Sequence, residues 1–245
     1  LRAASYRRAQ NRAAAAFDHF VTIYALWRER LLARAERSLD VRLIHNHLDV
    51  PPAELAAPVA HGPPRLCFAG RFDRHQKGID LLIETFDHLR NHPAATPMQW
   101  VFIGTGPYEQ ELREACERMS GGPLSFEFHG WQSSAIKLMS DCQALVLPSR
   151  LEGVPTVVAE ALTLGLRVFA YAIPGADRLL SDTPLTAPFD TRAMAEAIVQ
   201  HWATPRIAAT PTTNAYLHML RDGARFRREV LDVYRGATST EETHA

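Results

Sequence analysis

Arg65-Leu66-Cys67-Phe68-Ala69-Gly70-Arg71 is an apolar run that closes on Gly-Arg; six residues beyond Arg71 come Lys77-Gly78, then Ile79, Leu82, Ile83, Phe86 and Leu89 at helical spacing. A strand buried on both faces is apolar throughout, and a period near 3.6 residues marks one face of a helix. The stretch therefore reads as strand, turn and helix, and the pattern recurs downstream. Strands are expected at Arg65–Ala69, Gln99–Ile103, Leu124–Phe128, Ala144–Leu147 and Leu166–Tyr171. Helices are expected between them near Ile79–Asn91, Tyr108–Ser120, Ser133–Ser140 and Pro155–Leu164. The fold class that follows is α/β, a parallel sheet with helices on both faces and a ligand site outside the carboxyl ends of the strands. Arg71, Gly104, Gly130 and Glu152 each follow a strand, so all four fall on one rim.

Two cations flank the first turn. Arg71 offers a planar fork and Lys77 a compact point charge, a combination suited to a diphosphate. The chain holds two lysines, Lys77 and Lys137, so one beside a turn glycine stands out, although a solvated loop is the plainer reading of such charges. A second stretch, Ser149-Arg150-Leu151-Glu152-Gly153-Val154-Pro155-Thr156-Val157-Val158-Ala159-Glu160-Ala161, carries two carboxylates eight residues apart. Pro155 suits the first helical position and Gly165 the residue just past the end, which leaves the amides of Thr156 and Val157 without intrahelical acceptors. Those amides form an anion site. Glu160 lies among Val157, Val158, Ala161 and Leu162, and its side chain leans back toward the same helix start. A buried, unpaired carboxylate costs several kcal/mol, so Glu160 requires a cationic partner or a polyhydroxyl ligand. A structural ion pair is the plainer reading for one such residue.

The ordered series Gly70-Arg71, Lys77-Gly78, Gly104-Thr105-Gly106-Pro107, Phe128-His129-Gly130, Leu147-Pro148-Ser149, Glu152 and Glu160 resembles the retaining glycosyltransferases of family four, the group 1 glycosyl transferases. The resemblance runs from about Arg65 to about Gly175. It implies a Rossmann-like domain, the C-terminal, donor-binding half of a two-domain GT-B-type fold. It further implies that Arg71 and Lys77 hold a donor diphosphate and that Glu152 touches the transferred sugar, these three being the catalytic candidates. Glu160 would accept hydrogen bonds from the ribose, amides around Val154, Thr156 and Val157 would cap the distal phosphate, and Gly153 belongs to the donor-binding set. Gly70, Gly104 and Gly106 belong to the same donor site, and Trp131 and Gln132 would lie near the base. The sequence departs from the family's pattern at Pro155, which removes an amide from the helix start, and at Gln143, where an Asp is frequent. What the resemblance implies is transfer from a nucleotide-diphosphate sugar to a glycan or lipid-linked acceptor of the cell envelope, with no cofactor and no metal. Two alternatives stay open: a nucleotide-sugar binding or scaffold module without transfer activity, and a nucleotide-sugar epimerase.

Organisation along the chain fits that reading. Residues 1–48 are expected to be the remnant of a preceding acceptor-side domain, with helices at Leu1–Ala16 and Tyr24–Arg37 and strands at Phe20–Ile23 and Val41–Ile44. Residues 49–64 form a Pro-rich linker, 65–203 the donor-binding domain, and 204–245 a crossover helix and tail. Past Gly175 helices are expected at Asp190–Trp202 and Ala224–Arg235, with a Pro/Thr-rich break between and a frayed end from Thr238. A first residue of Leu reads as a fragment or a non-standard start, and the acceptor would bind through the missing N-terminal half.

Composition narrows the classes. With 47% hydrophobic and 22% charged residues the chain can bury a sizeable core. Lys plus Arg equals Asp plus Glu at 27 each, so no global field favours nucleic acid. Residues 1–42 carry nine Arg against four acids, which reads as a solvated face, with peripheral contact to the inner face of a membrane left open. Cys67, Cys116 and Cys142 lack metal or disulfide spacing and suit the cytoplasm. His45-Asn46-His47 could offer two metal ligands but shows no third nearby. Gly104-x-Gly106 opens like a dinucleotide fingerprint, yet no third glycine stands at Glu109, and no Asp-x-Asp triplet occurs.

Overall fold

The computed structural model describes residues 11–12, 15–49, 63–176, 179–180, 183–201 and 215–241. Most of Leu1–Ala16, the prolines at 51, 52 and 58, the break at 204–213 and the last four residues lie outside these. In chain order the elements are β1 (His19–Thr22), α1 (Ala25–Leu32), β2 (Asp40–Leu43), β3 (Arg65–Ala69), α2 (Ile79–Arg90), β4 (Met98–Ile103), α3 (Glu109–Met119) and β5 (Leu124–Phe128). They continue with α4 (Ile136–Ser140), β6 (Ala144–Leu147), α5 (Thr156–Thr163), β7 (Arg167–Ala170), α6 (Thr191–His201), α7 (Ala215–Arg221) and α8 (Gly223–Glu241). The chain divides into two compact units, one of residues 1–49 with 218–245 and the other of residues 50–217.

In the larger unit five parallel strands stand in the order β5-β4-β3-β6-β7. The order reverses between β3 and β6, which opens the crevice where α/β sheets bind ligands. β3 runs in register with β4 from Arg65 opposite Gln99 to Ala69 opposite Ile103, and pairs with β6 at Leu66 opposite Ala144. Gln143 extends that second pairing: its Oε1 accepts the Arg65 N–H at 2.6 Å and its own N–H donates to Arg65 O at 2.8 Å. The departure at Gln143 is thus absorbed by the sheet.

Helix α2 forms because Ile79, Leu82, Phe86 and Leu89 recur on one face, and all four are buried. Phe86 meets Trp100 at 4.7 Å between ring centroids, and Phe102 stacks on Phe128 at 4.5 Å. An aromatic layer thereby ties the helix to β4 and β5. Burial of rings of this size stabilises by several kcal/mol each. α6 packs against α2. Among the described residues the three cysteines form no disulfide and are buried; burial pushes the Cys116 thiol up to about 12.

The smaller unit pairs β1 with β2 in parallel and packs Phe20, Leu31 and Ala35 against Leu39 and Val41. Helix α1 stops at Leu32, short of the Arg37 expected, because Arg37 turns away to pair with Asp18 and to donate to Phe17 O at 2.7 Å. Arg42 donates to Asp232 O at 3.0 Å, and His47 donates through Nδ1–H to Leu220 O at 3.0 Å while stacking on Phe226. α8 runs to Glu241, so the tail expected to fray from Thr238 is helical over its first part.

Candidate functional site

The crossover after β3 and the loop after β4 lie backbone against backbone. A Cβ on Gly104 would stand 2.0 Å from Gly70 O, and one on Gly106 would stand 2.4 Å from Phe72 O. Only glycine permits this approach, and Gly104 also sits at φ 136°. Phe72 pins the loop from below: it is fully buried, its N–H donates to Thr105 O at 3.0 Å, and its ring meets those of Phe68, Phe102 and Phe128. Arg71, held between Gly70 and this anchor, is exposed and its guanidinium has no partner among the described residues. The two glycines that open like a dinucleotide fingerprint therefore serve the contact between loops.

The acidic crossover follows β6. Glu152 is 5% exposed, and its Oε1 accepts from both Lys77 Nζ at 2.7 Å and Ser149 Oγ at 2.7 Å. Burial of a carboxylate is costly, and an ammonium plus a hydroxyl on one oxygen compensate it. Lys77, 17% exposed, is thus already paired in this state; it also lies beside Gly70, whose added Cβ would sit 3.7 Å from Lys77 Cε. Neither Ser149 nor its bond to Glu152 was expected from the sequence as part of a site, although a hydroxyl three residues before a carboxylate in a tight loop is the signal for it.

Pro155 does not occupy the first helical position. It caps α5 in an extended conformation, φ −71° and ψ 98°, and its carbonyl accepts from Val158 and Ala159 at 3.0 and 3.4 Å. The N–H that proline lacks is therefore no loss to the helix start. The amides of Thr156 and Val157 have no acceptor among the described residues, as the helix geometry dictates. At the other end Gly165 and Leu166 donate to Leu162 O and Ala161 O at 3.0 and 2.8 Å, closing the helix.

These loops enclose a cleft of about 600 Å³. Of the residues expected at a site, Gly70, Arg71, Gly104, Gly106, Gln132, Val157 and Glu160 line it. Lys77, Glu152, Gly153, Val154 and Thr156 do not, although they belong to the adjoining crossovers. Trp131 lines the rim with its indole 73% exposed. Gln132 Nε2 donates to His129 O at 2.9 Å. Glu160 is the electrostatic centre of the cleft: burial raises its carboxyl above the usual carboxylate value, and it has no hydrogen-bond or ion-pair partner among the described residues. The structural ion pair expected as the plainer reading of Glu160 is absent there. Among the described residues no three His, Cys, Asp or Glu side chains converge as a metal site. His45 and His47 instead engage separate backbone carbonyls, Ile23 O at 3.2 Å and Leu220 O at 3.0 Å. No described helix is long and apolar enough to cross a membrane.

Residues 63–204 match the family described as Glycosyl transferases group 1. A Bacillus subtilis protein named as a teichuronic acid biosynthesis glycosyltransferase, TuaC, is 32% identical over 136 residues, 55% of this chain and 32% of that protein. The lipopolysaccharide 1,6-galactosyltransferase of Salmonella typhimurium is 26% identical over 157 residues, 61% of this chain and 41% of its own length. Among solved structures, Anabaena Alr3699/HepE in complex with UDP and glucose matches 94% of this chain and 66% of its own with a TM-score of 0.72 and 18% identity, a likeness of fold. The chain spans between 32% and 41% of these two curated relatives.

Proposed function

We propose, since the chain belongs to the group 1 glycosyl transferases, that its cleft is the donor site of a retaining, metal-independent transferase acting on cell-envelope glycans. A nucleotide-diphosphate sugar binds here, and the sugar passes to a glycan or lipid-linked acceptor held by the part of its relatives that this chain does not span. Glu160 carries the reading: a half-buried carboxylate with no partner among the described residues shares one cleft with Arg71, likewise without one among them, and a helix start. A ribose supplies the hydroxyl donors that Glu160 lacks, and a diphosphate supplies the charge that Arg71 and the amides of Thr156 and Val157 lack. The names of the two curated relatives, which act on envelope polymers, support the acceptor class.

The roles are those the resemblance implies, and the contacts support them. As the bond from anomeric carbon to phosphate stretches, charge builds on the departing diphosphate. Arg71, Lys77 and the start of α5 compensate it in a site of low dielectric. Lys77 spends one of its three N–H groups on Glu152 and keeps two for phosphate oxygen. Glu152 is fixed by Lys77 and Ser149 through one oxygen, and its contact with the sugar rests on the resemblance. Cationic compensation of this kind is what lets transfer proceed without a metal, and retention of configuration rests on the resemblance of the ordered motifs. Gly153 and Val154 carry the backbone from Glu152 to the helix start, and Trp131 with Gln132 flanks the base.

Calorimetry with uridine, guanosine and adenosine diphosphates tests the site. One of them binds, and Arg71→Ala or Glu160→Ala weakens it about ten- to a hundredfold, the worth of one charge-assisted contact. If neither substitution weakens binding, the donor lies elsewhere. The polypeptide by itself binds the diphosphate and transfers no sugar; turnover onto a glycan by it alone overturns that second half.

A further inference from the structure

Arg150 lies outside the lining of the cleft and yet grips both crossovers that serve it. Its N–H donates to Gln76 O at 2.8 Å. Its guanidinium donates to Arg74 O at 2.6 Å and, as a fork, to both oxygens of Asp80 at 2.7 Å each. These acceptors run from residue 74 to residue 80, with Lys77 in the middle of the span. On the other side Arg150 is covalently next to Ser149, which holds Glu152. The two crossovers also touch directly: a Cβ on Gly78 would lie 2.0 Å from Pro148 O. Burial by itself would raise the Asp80 carboxyl, but the Arg150 fork together with the backbone N–H groups of Asp80 and Leu81 holds the group below the usual carboxylate range.

We propose that Arg150 is a positioning residue that sets Lys77 against Glu152 and Arg71, so that the cleft meets a diphosphate with its cations already in place. This rests on the donor reading above. The chemistry calls for arginine in particular. One planar guanidinium reaches a carbonyl and two carboxylate oxygens together, whereas a lysine ammonium satisfies the charge of Asp80 and loses the fork. The three tethers shorten the free loop around Lys77 to a few residues. Diphosphate binding then orders less chain than an untethered loop would require. A nucleoside monophosphate, with one phosphate fewer to be held, depends less on this arrangement.

Calorimetry on the whole chain, with the best-binding diphosphate of the three and its matching monophosphate, reads the proposal. Arg150→Lys lowers diphosphate affinity about tenfold and monophosphate affinity by less than about twofold. Asp80→Asn, which removes the acceptor of the fork, reproduces the same change in ratio. In a Lys77→Ala background the additional Arg150→Lys substitution costs less than about threefold, because the group it positions is gone. An unchanged ratio of diphosphate to monophosphate affinity, accompanied only by a lower thermal midpoint, overturns the proposal, as does full multiplicative loss in the double variant. Should the unaltered chain bind none of the three diphosphates, the donor reading falls and takes this one with it.

Discussion

At the scale of single residues, Glu160 sets function against stability. Folded, it keeps its proton to higher pH than the ordinary value of 4.5 at which the unfolded chain releases it. The unfolded state therefore binds fewer protons above about that pH, and stability falls as pH rises from there through the folded value. Glu160→Gln accordingly raises the thermal midpoint of the ligand-free chain at pH 8 and leaves it unchanged at pH 4, while nucleotide affinity drops. A lower midpoint at pH 8 would mean that the carboxylate has a stabilising partner. Phe72 is the opposite kind of residue, fully buried under the Arg71 loop. Phe72→Ala costs about 3–5 kcal/mol in urea unfolding. Charge in apolar surroundings made Glu160 and Arg71 legible in the sequence. The ties of Lys77 to Glu152 and of Arg150 to Asp80 were not, because 75 and 70 residues separate the partners.

At the scale of elements, the site depends on loops meeting at distances that only a bare backbone allows. Gly104→Ala places a methyl 2.0 Å from Gly70 O at φ 136°. The loops must part, and the substitution costs on the order of 2–4 kcal/mol together with nucleotide binding, measured by urea midpoint and calorimetry. Retained binding with an unshifted midpoint would show that the loops yield freely. The strands of the large sheet could be read to within a residue because each is a short apolar run bounded by Gly, Pro or charge. Helix α7 leaves no signal in the sequence: seven residues make two turns, too few for a period to emerge beside a Pro/Thr-rich segment. Helix α4 begins at Ile136 and not at Ser133, since Trp131 and Gln132 are drawn into the rim of the cleft. Pro155 shows how one position can mislead: proline is equally at home just before a helix and at its first residue.

At the scale of the whole molecule, ligand and fold are linked. A nucleoside diphosphate at a hundred times its dissociation constant stabilises by about 2.7 kcal/mol, which raises the thermal midpoint by about 5–10 °C. A midpoint indifferent to all three diphosphates contradicts a donor site. The crossover helix is named from the resemblance alone; the contacts that join residues 1–49 with 218–245, such as Arg42 with Asp232 and His47 with Leu220, 190 and 173 residues apart, leave no local pattern in the sequence. Finally, the chain carries its own optical gauge. Trp131 stands open to water on the rim, while Trp100 is sealed within the sheet. Excited near the red edge, the first indole emits as a solvated fluorophore that iodide quenches. A base laid over it turns that emission blue and shields it, and a Trp131→Phe chain, in which Trp27, Trp100 and Trp202 still emit, loses that change in the same titration.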